Sequence, residues 1–253
     1  MRVKRGSTGK PRLDALLVAR GLAESRARAQ ALVMAGLVYS GDKRLDKPGQ
    51  AMAVDAALEV RGRDHPWVSR GGVKLAHALD AFGIDPSGRV CLDIGASTGG
   101  FTDVLQARGA RRVFAVDVGR GQLAWKLRND PRVVAREGVN ARTLTAAEVP
   151  EAPEIVTCDA SFIGLETVLP AALALAAPGC VLIALIKPQF EAGRGQVGKG
   201  GIVRDPAVHE TVCARIRDWL GAQPGWTVLG LAESPIVGAD GNREFLIAAR
   251  KAA

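Results

Sequence analysis

Cysteine and histidine are scarce in this 253-residue chain, and their placement excludes more than their number does. Cys91, Cys158, Cys180 and Cys213 are widely spaced, and no two stand at the spacing of a zinc knuckle. His65, His77 and His209 form no ligand cluster, so no metal site is expected. Three of the cysteines lie in or beside apolar runs, where the thiol behaves as a small core group. No disulfides and a reducing, cytoplasmic setting follow as expectations. No secretion signal is expected either, since Met1 to Lys10 is basic and has no apolar stretch. From Thr167 to Ile186 no charge appears, over a length that would nearly span a bilayer. Pro170 and the pair Pro178-Gly179 divide that run into a short Ala/Leu helix and a buried strand, so no membrane partner is expected.

What is present is an uneven charge. Apolar residues at 47% and charged residues at 24% give the balance of a folded soluble protein, not of a disordered one. The length suits one large domain and one small one. Net charge is +8, and residues 1–70 hold 14 Lys and Arg against 7 Asp and Glu, leaving 20 against 19 in the rest. Such segregation points to a polyanion-binding module on a near-neutral body. A merely solubilising charged face needs no such asymmetry.

After a basic tail at 1–10, Leu13, Leu16 and Leu17 recur at helical spacing, with Gly21 as the stop. Ser25 is a suitable N-cap for a second helix with Ala29, Leu32 and Val33 inward and Gly36 at its end. Strands are expected at Leu37 to Ser40 and Ala57 to Val60, with turns at Gly41-Asp42 and Lys47-Pro48-Gly49. Arg26 and Arg28 fall in the first turn of the second helix, where cations oppose the helix dipole. A helix that tolerates them is expected to use them on phosphate oxygens, and Arg12, Lys43 and Lys47 extend the same basic surface. Solvated surface charge is the alternative for any one of them. The run from Arg12-Leu13-Asp14 through Gly21, Ser25-Arg26, Ala29, Leu32, Gly36, Val38, Gly41 and Lys47-Pro48-Gly49 resembles the S4-like RNA-binding domain, over about residues 11–60. The resemblance implies binding to structured RNA and carries no chemistry.

Residues 61–68 contain Gly62 and Pro66, lack periodicity and read as a linker. Trp67 there is either a packing residue or an aromatic that touches RNA. Beyond it, over 69–253, short β-branched runs alternate with helical segments, which predicts a Rossmann-like, doubly wound, mostly parallel sheet. Seven strands are expected, at 90–94, 113–116, 133–136, 155–157, 181–186, about 227–231 and 244–249. The loop Asp93-Ile94-Gly95-Ala96-Ser97-Thr98-Gly99-Gly100 leaves the first of them and enters a helix near Phe101. Its glycines let the backbone approach a ligand at the place where open sheets bind nucleotides. The spacing departs from G-x-G-x-x-G, because Ser97 stands where a glycine belongs. Asp93, read as part of the loop, would repel a pyrophosphate and suit the cationic amine of S-adenosylmethionine. Asp117, ending the second strand, is placed for ribose hydroxyls, and Asn140 for the adenine or its neighbourhood. A turn or cap role is the alternative for the two aspartates.

Methylating a ribose hydroxyl requires removal of a proton that is firmly held at neutral pH. A carboxylate is a weak base for this, whereas a lysine in a suitable environment can serve. Asp159 after the fourth strand, Lys187 after the fifth, Glu244 opening the last, and Lys74 on a helix before the first can converge on one crevice at the sheet edge. These four match the Lys-Asp-Lys-Glu tetrad of the FtsJ-type ribose 2′-O-methyltransferases. With the segment Ser69-Arg70-Gly71-Gly72-Val73-Lys74-Leu75 and the stretch Lys187-Pro188-Gln189-Phe190-Glu191, the chain resembles the TlyA family, some members of which carry the label hemolysin. The resemblance implies 2′-O-methylation of cytidine in small- or large-subunit ribosomal RNA, with S-adenosylmethionine as donor. It also implies Lys187 as base or hydroxyl activator, Asp159 and Glu244 as its orienters, and Lys74 as a ribose-positioning group. The loop Gly193 to Gly201, with Lys199, is flexible and basic in composition and could close over a target nucleotide taken out of its stack. Alternatives are an RNA-binding assembly factor with an inactive enzyme domain, and a membrane-active hemolysin. A monomer is the expected state.

Overall fold

The computed structural model describes residues 10–23, 25–61, 65–238 and 241–253. Most of the basic tail, and residues 62–64 of the expected linker, therefore lie outside the described residues. The chain divides into two compact units between Pro66 and Trp67.

In the first unit, α1 (Leu13–Ala19) and α2 (Arg26–Met34) pack on a small antiparallel sheet of β1 (Val38–Ser40), β2 (Lys43–Arg44) and β3 (Glu59–Val60), in the order β2-β1-β3. Ser25 accepts a hydrogen bond from Arg28 N at 3.2 Å and so caps α2. Gly36, at φ +70°, ends that helix in the left-handed region. Leu13, Leu17, Ala29, Val33 and Val38 form the sealed centre of the unit. β2 follows the Gly41-Asp42 turn and has both residues exposed, so no apolar alternation marks it in the sequence.

The second unit is a seven-stranded sheet. Its elements are α3 (Gly71–Phe82), β4 (Val90–Ile94), α4 (Gly100–Ala107), β5 (Arg112–Asp117), α5 (Trp125–Arg128), β6 (Val133–Glu137), β7 (Ile155–Cys158), α6 (Leu165–Val168), α7 (Pro170–Leu175), β8 (Val181–Ile186), α8 (Pro188–Glu191), α9 (Pro206–Gly221), β9 (Trp226–Glu233) and β10 (Phe245–Lys251). Strand order is β6-β5-β4-β7-β8-β10-β9; β10 runs antiparallel to both neighbours and the other pairings are parallel. Central strands buried on both faces read as unbroken apolar runs, and every residue of β8 is buried. Alternate residues serve opposite faces. Ile183, Leu185 and Leu246 pack with α3 and α4, while Leu182, Ala184 and Ile247 pack with α6, α7 and α9. The charge-free run 167–186 becomes α7 and β8, and among the described residues no helix is long and apolar enough to cross a membrane. Trp67 belongs to this unit, where a Cβ on Gly72 would lie 2.3 Å from its Cγ.

Candidate active site

Parallel strands carry their carboxyl ends to one edge, and β10, being reversed, begins at that edge. Asp159 follows β7, Lys187 follows β8 and Glu244 precedes β10. Phe245 pairs with Ile186, so Glu244 and Lys187 are the next residues outward on neighbouring strands. Lys74 lies in the first turns of α3. The four side chains form two ion pairs: Lys74 Nζ to Glu244 Oε2 at 2.5 Å and Lys187 Nζ to Asp159 Oδ1 at 2.6 Å. Lys187 also donates to Asp159 O at 3.0 Å and Ser161 Oγ at 2.9 Å. Lys74, Lys187 and Glu244 are buried, and a Cβ on Gly71 would lie 3.5 Å from Asp159 Oδ2, which brings the head of α3 against that carboxylate. Gly238 backs the other pair, since a Cβ there would lie 2.6 Å from Glu244 Oε1.

The loop between β4 and α4 lies beside these pairs, and its residues divide by role. Asp117 binds it from β5: Oδ2 accepts from Ser97 N and Oδ1 from Gly119 N, each at 2.7 Å. Ser97 is exposed and held at φ +48°, a conformation that costs a non-glycine residue roughly 1–2 kcal/mol. Val118, next to Asp117, is 70% exposed. Ala96, Gly100 and Phe101 are buried, and Phe101 belongs to the core under α3. Asn140 caps a one-turn helix, accepting from Arg142 N at 3.1 Å.

One expectation for this loop is corrected. Asp93 is the fourth residue of β4, not a loop residue, and is wholly buried. Its carboxylate accepts from Thr102 Oγ1 at 2.6 Å and Thr157 Oγ1 at 3.0 Å, so no surface is left for a cofactor amine. Burial pushes its pKa up to about 6, against the hydrogen bonds from Thr102 and Thr157, which favour the ionised form. The glycines of this loop each have protein close by on the side where a Cβ would stand. A Cβ on Gly95 would lie 2.9 Å from Ala160 N and Cα; one on Gly99, 2.3 Å from Leu127 Cδ1; one on Gly100, 2.2 Å from Ser69 Oγ. Such approaches press the loop onto the Asp159 segment, onto α5 and onto the entry to α3.

The basic residues of the first unit also separate. Asp14, fully buried, accepts from Arg12 Nη2 and Gln30 Nε2, each at 2.9 Å, and lies 3.3 Å from Arg26 Nε. The Arg12 hydrogen bond above all, opposed by burial, holds the Asp14 carboxyl well below the usual range. Arg26 therefore has a partner within its own unit, and its place at the head of α2 needs no phosphate to explain it. Arg12 and Arg26 keep 51% and 59% of their side chains exposed. Lys43, Lys47 and Lys199 are exposed and Arg28 is half-buried. Sequence reasoning missed Ser161 and Phe162. Phe162 is 89% exposed at φ +64°, with its ring centroid 4.9 Å from that of Phe190. A small polar residue and an aromatic after a strand-end acid were the available signal. Among the described residues, no group of three or more His, Cys, Asp or Glu could hold a metal ion.

Comparison with known proteins agrees with this geometry. Residues 67–251 match the FtsJ-like methyltransferase family and residues 11–52 the S4 domain. The 16S/23S rRNA (cytidine-2′-O)-methyltransferase TlyA of Mycobacterium tuberculosis is 49% identical over 93% of this chain and 88% of its own. A Bacillus subtilis protein, YqxC, provisionally named an rRNA methyltransferase, is 52% identical over 94% of this chain and 85% of its own. A solved structure from Streptococcus thermophilus, provisionally named a hemolysin, superposes with a TM-score of 0.74 at 43% identity, covering 97% of this chain and 90% of that one.

Proposed function

The chain belongs to the FtsJ-like methyltransferase family, and within it to the TlyA proteins; from that premise we propose that it methylates the ribose 2′-hydroxyl of a cytidine in ribosomal RNA. The observation that carries the reading is the pair of buried Lys–carboxylate contacts at one sheet edge, beside the loop held by Asp117. S-adenosylmethionine, the donor, supplies a methyl group on a sulfonium that leaves as a neutral thioether. The residues present fit it: Asp117 offers carboxylate oxygens for ribose hydroxyls, and exposed Val118 offers an apolar face for the adenine. Asn140 stands beyond the next strand, within the same edge.

Lys187, once one of its ammonium protons has passed to solvent, takes the proton of the 2′-hydroxyl as that oxygen bonds to the methyl carbon. Asp159 and Ser161 hold its nitrogen in place through three contacts. Glu244, expected to orient Lys187, pairs instead with Lys74 and fixes that lysine at the sheet edge. Exposed Phe162 offers a stacking face to a base drawn out of its helix. The first unit supplies affinity through Arg12, Arg26, Arg28 and Lys43, and exposed Lys199 adds a cation from the loop after α8. A ribosomal substrate places the enzyme in the cytoplasm.

The test is Lys187→Ala. Transfer of tritiated methyl to ribosomal subunits is expected to fall by roughly 10²- to 10⁴-fold, with cofactor binding by calorimetry retained. Near-normal turnover would overturn the role. Mapping ribose methylation in cells with and without the protein identifies the nucleotide.

A further inference from the structure

Lys187 and Asp159 each stand at the head of a short segment that leaves the sheet edge. From Lys187 the chain turns at once into α8, where Phe190 N and Glu191 N donate to Lys187 O at 2.8 and 3.2 Å. From Asp159 it passes Ser161, Phe162 and Gly164 into α6. The far ends of the two segments meet at the side chain of Glu191. Its Oε1 accepts from Leu165 N at 2.7 Å, and its Oε2 accepts from Arg215 Nη2 at 3.0 Å. Arg215, on α9, also donates to Glu191 O at 2.9 Å and to Glu166 Oε2 at 2.7 Å. The Glu191 side chain is 3% exposed, and a Cβ on Gly164 would lie 3.1 Å from Oε2. A carboxylate this enclosed is tolerated only with its partners in place, so its position is tightly determined. Phe162 and Phe190 join the same two segments a second time.

We propose that Glu191, with Arg215, is a positioning residue for methyl transfer, latching the Lys187 segment to the Asp159 segment and so setting where the Lys187 amine stands. The inference rests on the reading that Lys187 and Asp159 carry the reaction. Glu191 touches no reacting atom; it acts through the two backbones. A displacement of about 1 Å at a reacting group is enough to cost on the order of 10²-fold in rate. A purely stabilising Glu191 would instead lower Tm and leave the turnover of folded molecules unchanged.

The experiment uses the full chain with Glu191→Gln, Arg215→Gln and the double variant. In Glu191→Gln the amide oxygen still accepts from Leu165 N, but the amide hydrogens face the guanidinium, and the latch opens at that contact. Single-turnover methyl transfer to ribosomal subunits is followed across pH, beside KM for the subunits, cofactor Kd and Tm. Expected are a fall in rate of about 10- to 100-fold, KM and Kd within about twofold, and a displaced limb of the pH–rate profile. The double variant should be no slower than the slower single one, because both remove one unit. Folded variants with wild-type rate and an unmoved profile overturn the latch. If Glu191→Gln fails to fold, Arg215→Lys replaces it in the same measurements, where a slowed rate supports the latch and a wild-type rate overturns it. A wild-type protein that transfers no methyl overturns the reading of the site itself, a different result from a normal variant beside an active wild type.

Discussion

Asp93 has its carboxylate sealed at the end of β4, with a folded pKa of about 6 against an ordinary value near 4. Raised in the fold, it binds a proton more tightly folded than unfolded. Its stabilising contribution is complete below pH ~4 and is lost as pH rises through 6. Asp93→Asn preserves the shape and can still pair with both hydroxyls. Stability of the variant at pH 7.5 is expected to exceed wild type by an amount on the order of 3 kcal/mol, and Tm should lose much of its decline between pH 5 and 7.5. Thermal scans across that range check it, and a variant that is less stable at pH 7.5 would refute the sign. Phe162 is the other telling residue. Its backbone is strained, and its ring is exposed apart from the contact with Phe190. Phe162→Gly should hold or raise Tm, since glycine adopts that φ freely. Losing one stacked base should raise KM for ribosomal subunits on the order of tenfold. Cys91, Cys158 and Cys180 are residues of the core. Burial pushes the thiols of Cys158 and Cys180 up to about 12, so in native protein at pH 8 they should resist a thiol reagent that labels them in urea.

At the scale of elements, the loop between β4 and α4 is shaped by what it touches. Gly95 combines a φ of +76° with backbone of Ala160 where its Cβ would be. Gly95→Ala therefore forces either the loop or the Asp159 segment to move. Methyl transfer is expected to fall by about 10-fold or more, along with a lowered Tm, and activity with melting curves on one preparation checks both. The limits of β4 and β8 could be read from the chain, because an apolar run bounded by turn residues has one reasonable reading in an α/β domain. Ser25 was legible as a cap for the same kind of local reason. Asp93 was not: a carboxylate beside glycines looks like a loop residue until two threonines, from α4 and β7, close over it. The Arg26–Asp14 contact was hidden in the same way, since the two residues lie in different helices. Glu191 carried no periodic or compositional signal, and its role depends on Leu165 and Arg215, 26 and 24 residues away.

For the whole molecule, the division of charge is the main physical fact. The first 70 residues hold nearly all the net positive charge, and the larger unit is close to neutral. Affinity for ribosomal RNA should therefore fall steeply with salt, and the slope should report on the first unit. Exchanging Arg28, Lys43 and Lys47 for Gln is expected to lower the slope of log K against log salt by about 2, with cofactor affinity unchanged. A slope equal to wild type would remove these residues from the RNA surface. Arg12 and Arg26 are poorer choices for such a test, because replacing them strands buried Asp14, whose pKa they help to depress. That stabilisation is present above pH ~4 and is lost as pH falls through the lowered folded value.

Composition, spacing and periodicity determined the two-unit plan and the order of strands and helices, and the resemblance to the FtsJ-type tetrad pointed to the four residues at the sheet edge. Plan and order follow from local chemistry: where apolar side chains recur, where a cap or glycine ends an element, where charge accumulates. Tertiary structure alone decided which lysine meets which carboxylate, that Asp93 is sealed, that the loop glycines have close protein neighbours, and that Glu191 ties the segment after β8 to the segment after β7. Each of these depends on groups distant in the chain meeting within about 3 Å, and a hydrogen bond at that range is set by packing.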